Sequence, residues 1–285
     1  MKKYVSILVT MLVLFVTLPG IGSSALEKNK NLSSGEPVNI KVMSYNIHHA
    51  VGEDGELNLD RIAEVIKNTD SDIIGLQEVD NHWSSRSDFQ DQAKLLAERL
   101  DMFYIYAANL NYESSEEGVP NRQYGTAILS EYPFLDGFNH LLPKIGDTEQ
   151  RGLFEAVINV KGTQLHLYNT HLALTPEERK IQIREIVDIA GGAQGPQIIM
   201  GDLNALPSSE AMKPLYSHYS DAFEGHEDAY TYSATNPTKR INYIFTSNDL
   251  ETKQAQVINT LASDHLPITT EITLYRSQPY QNGNK

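Results

Sequence analysis

The nine residues Gln197-Ile198-Ile199-Met200-Gly201-Asp202-Leu203-Asn204-Ala205 constrain this chain most. A short apolar run of this kind reads as a strand buried on both faces. It ends in a carboxylate, Asp202, and two residues later an amide, Asn204. Neighbours at i and i+2 of an extended chain share a side, so both are expected to reach one ligand. The carboxyl ends of strands are where α/β sheets usually keep their chemistry.

Other segments deliver polar groups in the same way. Val38, Ile40 and Val42 alternate with polar positions, and that strand runs into Asn46, His48 and His49. Two adjacent histidines at a strand end are expected to point to opposite sides. Residues 72–79 read as a buried strand ending at Glu78, and residues 124–130 as another that begins at Tyr124. Residues 153–160 and 163–171 form a hairpin around Lys161-Gly162, closing on Asn169 and His171. The last strand, residues 265–274, follows Asp264. Helical spacing appears at Leu59, Ile62 and Ile66, and again at Phe89, Ala93, Leu96 and Leu100. Thr175-Pro176-Glu177-Glu178 is a capping box that opens a helix stopped by Gly191-Gly192. Residues 102–106 read as a core strand, and residues 111–121 as a loop beside the site. Single strands between helices, mixed with hairpins, predict an α+β fold: two mixed sheets face to face with helices outside.

Carboxylates, amides and imidazoles at successive strand ends suit hydrolysis of a phosphate ester on a divalent cation. Mg²⁺ or Mn²⁺ takes oxygen ligands and needs only one or two protein carboxylates besides substrate phosphate. Glu78 is the best direct ligand, and Asp202 is placed to orient and deprotonate a water. Asn204 can hold that water or a phosphate oxygen without adding negative charge, and imidazoles can donate to phosphate or leaving group. Zinc fits less well, since there is no Cys, no His-x-x-x-His helix, and the histidines are scattered. Arg86 lies on a loop that closely follows Glu78, which makes it a candidate substrate contact.

Six motifs then carry a resemblance: Ser44-Tyr45-Asn46-Ile47, Leu76-Gln77-Glu78-Val79, Tyr124-Gly125-Thr126-Ala127-Ile128-Leu129-Ser130, Asn169-Thr170-His171-Leu172, Gly201-Asp202-Leu203-Asn204 and Ser263-Asp264-His265. In this order, across about residues 38–274, the chain resembles the endonuclease/exonuclease/phosphatase superfamily of deoxyribonuclease I-like phosphohydrolases. The resemblance implies a four-layer α/β/β/α sandwich. It implies a metal site at Glu78 and Asn46, with Asp264 as a second acidic group nearby. It implies that Asp202 aligns the attacking water with Asn204 beside it. His171 is similar to a phosphate contact and proton donor, and His265 to the paired histidine that meets the phosphate. Tyr124 and Arg151 are implied as phosphate contacts. One position departs from the pattern. Asn242, in Arg240-Ile241-Asn242-Tyr243, stands where the family usually has an Asp paired with the final histidine. An amide can still orient His265 but cannot supply the charge that favours imidazolium.

The remaining features bear on location and substrate. Lys2-Lys3, an apolar run over residues 5–18 and small residues up to Ala25 read as a secretory signal peptide over residues 1–25. Residues 26–36 read as a linker, 37–276 as the catalytic domain and 277–285 as a disordered tail. A secreted or envelope-located monomer without a stable protein partner is expected. The net charge is −14, and it grows more negative if the leader lysines are removed. Such a chain repels polyanions at long range, and it has no basic stripe for duplex DNA. These features favour small or lipid-derived phosphoesters over nucleic acid, with an exported phosphoesterase, a phosphodiesterase before a monoesterase, as the expected activity. A secreted nuclease, and a non-catalytic binding module weakened by Asn242, stand as the two rival readings.

Overall fold

The computed structural model describes residues 37–275. The expected signal peptide, linker and tail lie outside the described residues, as does residue 276. Strands β1 (Pro37–Asn46), β2 (Ile73–Asn81), β3 (Phe103–Tyr112), β4 (Arg122–Ser130), β11 (Glu251–Val257) and β12 (Ile268–Tyr275) form one sheet. Strands β5 (Phe134–Leu141), β6 (Gly152–Val160), β7 (Thr163–His171), β8 (Gln197–Asp202), β9 (Ser220–Asp221) and β10 (Asn242–Thr246) form the other. Their orders are β11-β12-β1-β2-β4-β3 and β5-β6-β7-β8-β10-β9. Both are mixed: β1 runs parallel to β2, and β7 parallel to β8. Helices α1 (Leu59–Lys67), α2 (Gln92–Leu100), α3 (Pro176–Gly191) and α4 (Lys213–His218) complete the main elements.

Three apolar layers separate these elements. Ile40, Val42 and Ile128 of the first sheet meet Ile158, Leu167 and Ile198 of the second. On the outer face of the first sheet, Met43 and Leu76 pack on Ile62 of α1 and Leu96 of α2. Outside the second sheet, Tyr168 and Ile199 pack on Ile183 and Ile186 of α3 and Leu215 of α4. The result is the expected four-layer sandwich, and β8 is indeed covered on both faces.

Local chemistry sets the boundaries. Asn58 caps α1 by accepting the Arg61 amide proton, and Thr175 caps α3 by accepting that of Glu178. The Glu178 carboxylate reaches back to the cap through the Thr175 hydroxyl, with Thr175 Oγ1 donating to Glu178 Oε2 at 2.6 Å. Side-chain hydrogen bonds cross between the sheets, among them Asn139 Nδ2 of β5 donating to the Ala108 carbonyl of β3 at 2.8 Å. Asn169 of β7 donates from Nδ2 to the carbonyls of Leu76 and Ala127, both at 2.9 Å, and accepts from Gln77 Nε2 at 2.8 Å.

Several expectations change. Phe89 is not on the helical stripe: it sits left-handed (φ 53°) ahead of α2, and Asp91 caps that helix. Residues 102–106 do not form a core strand. Residues 103–106 open β3 at the sheet's edge, where Phe103 is 53% exposed. The final strand begins at Ile268, three residues beyond His265. Residues of the 111–121 loop line a cavity of their own with His82 and Phe89.

Candidate active site

The parallel pairs end at the same border of the sandwich. β1 delivers Asn46, opposite Gln77 of β2. The next residue, Glu78, lies at a bulge between Leu76 and Val79 and has φ 56°. A bulge of this kind re-aims a side chain, and the left-handed backbone costs about 1 kcal/mol or more. In the second sheet Asp202 is in register with His171 on one side and Asn242 on the other. Gly201, at φ 150°, lies so close to the Thr170 carbonyl that no side chain fits there. The chain turns sharply after Asp202. Asn204 is left-handed, its N–H donates to Asp202 Oδ1 at 2.9 Å and its Nδ2 to the Leu172 carbonyl at 3.0 Å. Asp202 and Asn204 therefore share the site through a turn rather than through extended spacing.

Asn46 joins the sheets. Its Nδ2 donates to Glu78 Oε1 at 3.0 Å and to Asp202 Oδ2 at 3.1 Å, with His265 Nε2 at 3.4 Å. Asp202 Oδ2 also lies 3.5 Å from His265 Nε2 and 3.7 Å from His171 Nε2. His265 Nδ1 is 3.0 Å from Asn242 Oδ1, the orienting contact expected of the amide, while Asn242 Nδ2 is buried without a partner. The Tyr232 ring lies 4.8 Å from the His265 ring.

A cleft of about 690 Å³ opens over these groups. Glu78, Tyr124, Arg151 and His171 line it, together with Asp202, Asn204, Asp264 and His265. Asn46 and Asn242 lie beneath, both buried. Arg86 is placed elsewhere than expected. Its guanidinium grips the buried Asp80 through two bonds of 2.9 and 2.6 Å and lies over the Trp83 and Tyr124 rings. A carboxylate without its own counter-charge would be costly at that depth, so Arg86 serves Asp80 rather than the cleft.

Burial raises the Glu78 carboxyl above its usual range, Asp264 and Asp202 push the same way, and the Asn46 bond opposes them. Burial, then Arg151 and His265, hold the His171 imidazole well below its usual range, so it is neutral at pH 7. Burial, then Glu78, raises the Tyr124 phenol, which stays a hydrogen-bond donor. Arg151 is buried, pairs with Glu149 at 2.9 Å, and leaves Nε without a partner. Three carboxylates converging on one cleft fit a divalent cation, and the Arg151 guanidinium lining the same cleft fits an anion.

Sequence reasoning missed part of the cleft. Arg179 and Lys239 add positive charge, and Leu174, Leu206 and Tyr232 add apolar surface. Arg179 lies within the polar face of α3, and Lys239 in an aperiodic segment, so neither carried a signal. The two adjacent histidines were also misread. Residues 48–50 are all left-handed, which brings the His48 and His49 rings to 4.4 Å from one another instead of onto opposite sides.

Comparison with known proteins agrees with this geometry. Residues 43–265 match the family model described as Endonuclease/Exonuclease/phosphatase family. A curated relative, Protein cwh43 of Schizosaccharomyces pombe, is 24% identical over 143 residues; the match covers 50% of this chain but only 14% of that protein. The crystal structure of an endonuclease/exonuclease/phosphatase from Beutenbergia cavernae is similar, with TM-score 0.70 and 25% identity, covering 83% of this chain and 72% of that one. The mannosyl-6-phosphatase Bt3783 of Bacteroides thetaiotaomicron shares the fold, with TM-score 0.67, 20% identity and coverage of 82% and 100%.

Proposed function

We propose that this chain, which belongs to the Endonuclease/Exonuclease/phosphatase family, is an exported, divalent-cation-dependent phosphodiesterase. The observation that carries this reading is the Asn46 amide, which holds Glu78 of one sheet and Asp202 of the other on a single group. A cation at Glu78, with Asp264 nearby, would neutralise phosphate charge and stabilise the leaving oxygen.

The chain's own residues supply the rest. The Arg151 guanidinium and the Tyr124 hydroxyl, both lining the cleft, hold non-bridging phosphate oxygens. Asp202, fixed by Asn46 and the Asn204 N–H, accepts a proton from the attacking water. Oxygen of that water bonds to phosphorus as the P–O ester bond breaks. Neutral His171 donates an N–H bond to the phosphate, and His265 gives a proton to the departing alkoxide. An alcohol and a phosphomonoester result. Leu174 is 72% and Leu206 46% exposed at the cleft, and Arg179 and Lys239 lie beside them. This mixture supports a small or lipid-derived phosphoester carrying an apolar part. The net charge of −14 speaks against a nuclease, and the assembled site against a binding module.

The test is hydrolysis of bis-p-nitrophenyl phosphate with Mg²⁺, Mn²⁺ or chelator, set beside the monoester p-nitrophenyl phosphate. Cation-dependent turnover that favours the diester is expected. Absence of turnover with every cation would favour the binding module, and preference for the monoester would make the enzyme a phosphomonoesterase. Plasmid nicking that outpaces release of phosphocholine or phosphoinositol would make it a nuclease.

A further inference from the structure

The left-handed turn after β1 has a chemical outcome. An extended chain would separate His48 from His49; three consecutive positive φ angles (44°, 43° and 64°) put both imidazoles on one side instead. They face Glu78, itself re-aimed by its bulge, and ligating atoms of the three residues lie within 4.8 Å of one another. The turn is tied down by the Asn58 N–H, which donates to the Ala50 carbonyl at 2.8 Å.

We propose that His48, His49 and Glu78 form a two-imidazole, one-carboxylate site that takes a transition-metal dication in preference to Mg²⁺. Ligand atoms about 2.1 Å from one ion stand about 3.4 Å apart in a tetrahedron and up to about 4.2 Å across an octahedron. The observed spread of up to 4.8 Å is wider than either, so an ion at this site would draw the three side chains together. His48 Nδ1 is 3.2 Å from the Val51 carbonyl. An N–H donated there leaves Nε2 with its lone pair, the outer contact that metal-binding histidines usually make. His49 Nδ1 is buried with no hydrogen-bond partner, so no protein contact fixes which ring nitrogen carries its proton. Two imidazoles and one carboxylate leave positions open for water and phosphate, and nitrogen donors favour Mn²⁺, Co²⁺ or Zn²⁺ over Mg²⁺. The helix spacing usually sought for such a site is absent; the backbone turn replaces it.

The inference rests on Glu78 as the cation ligand of the proposed reaction, and its test separates the two. Protein stripped of metal is titrated with Co²⁺ and with Mg²⁺ by calorimetry. The expected result is Co²⁺ binding at least about tenfold tighter than Mg²⁺, lost in the His48→Gln/His49→Gln double variant, whose Mg²⁺ affinity changes little. Electron spin-echo spectra of the unaltered protein loaded with Mn²⁺ need no variant, and they should show coupling to imidazole nitrogen. A spectrum without nitrogen coupling, or a folded double variant that binds Co²⁺ as tightly as the parent, overturns the site while leaving the phosphodiesterase reading intact. Nitrogen coupling in a protein that hydrolyses no phosphoester would sustain the site and overturn that reading.

Discussion

Replacing Asn242 by Asp puts a carboxylate where an amide oxygen now lies 3.0 Å from His265 Nδ1. With charge centres about 4 Å apart and an effective dielectric near 20, attraction to an imidazolium is worth about 4 kcal/mol. Asn242 is only 1% exposed, so desolvation of the new carboxylate cancels several kcal/mol of that. A net gain of about 1–2 kcal/mol in favour of the charged imidazole corresponds to a rate increase of roughly 5- to 30-fold where His265 must donate a proton. The substitution also removes an amide NH₂ that is buried without an acceptor, so stability should not fall far. The assay is the pH dependence of kcat and KM for bis-p-nitrophenyl phosphate at saturating cation. Turnover should rise and the alkaline limb should move to higher pH, with KM nearly unchanged. A folded Asn242→Asp protein whose kcat is flat or lower would refute the assignment of His265 as a proton donor.

Glu78→Ala should weaken cation binding at least tenfold, whereas Asp202→Ala should leave it within a few-fold and abolish turnover; calorimetry with Mn²⁺ beside the activity assay distinguishes them, and the opposite pattern would exchange their roles. Arg86→Ala leaves buried Asp80 uncompensated and should cost about 2 kcal/mol in urea unfolding, the low end because the guanidinium side is 38% exposed. Its KM should stay near the parent value, and a large KM rise with unchanged stability would restore Arg86 as a substrate contact. Arg61 holds the Asp54 carboxyl down to about 2 through a direct hydrogen bond. Asp54 in the unfolded chain titrates near 3.8, so this contribution is present above that pH and is lost as pH falls towards 2. Arg61→Gln should therefore flatten the acid-side decline in Tm between those values, and an unaltered decline would discount the pair.

The parts legible in the sequence are those where one local rule acts alone. Strand β8 was visible because residues 198–200 are buried on both faces, and α3 because Thr175 and Glu178 bond to one another. Strand β5 was not, since its residues are mostly exposed and show no alternation. The segment opening β3 is apolar yet lies at an edge, a position that only the order of strands decides. Within the site, motif residues such as Glu78 and Asp202 were readable, but their joining through Asn46 depends on how two sheets stack. The histidine pair failed for a backbone reason: period-two logic assumes extended φ, and residues 48–50 abandon it. The exclusion of zinc on sequence spacing loses its force with that assumption, because adjacent imidazoles converge.

Asn169 sits at neither end of the reaction, yet it governs how the two slabs are indexed. Its amide spans from β7 to the Leu76 and Ala127 carbonyls, and Leu76 is two residues from Glu78, as Asn169 is from His171. A dowel placed so near both halves permits one offset and forbids sliding. Loops around the mouth are then free to diverge in shape and cargo, while any change that lets the slabs creep disarms every reacting group together.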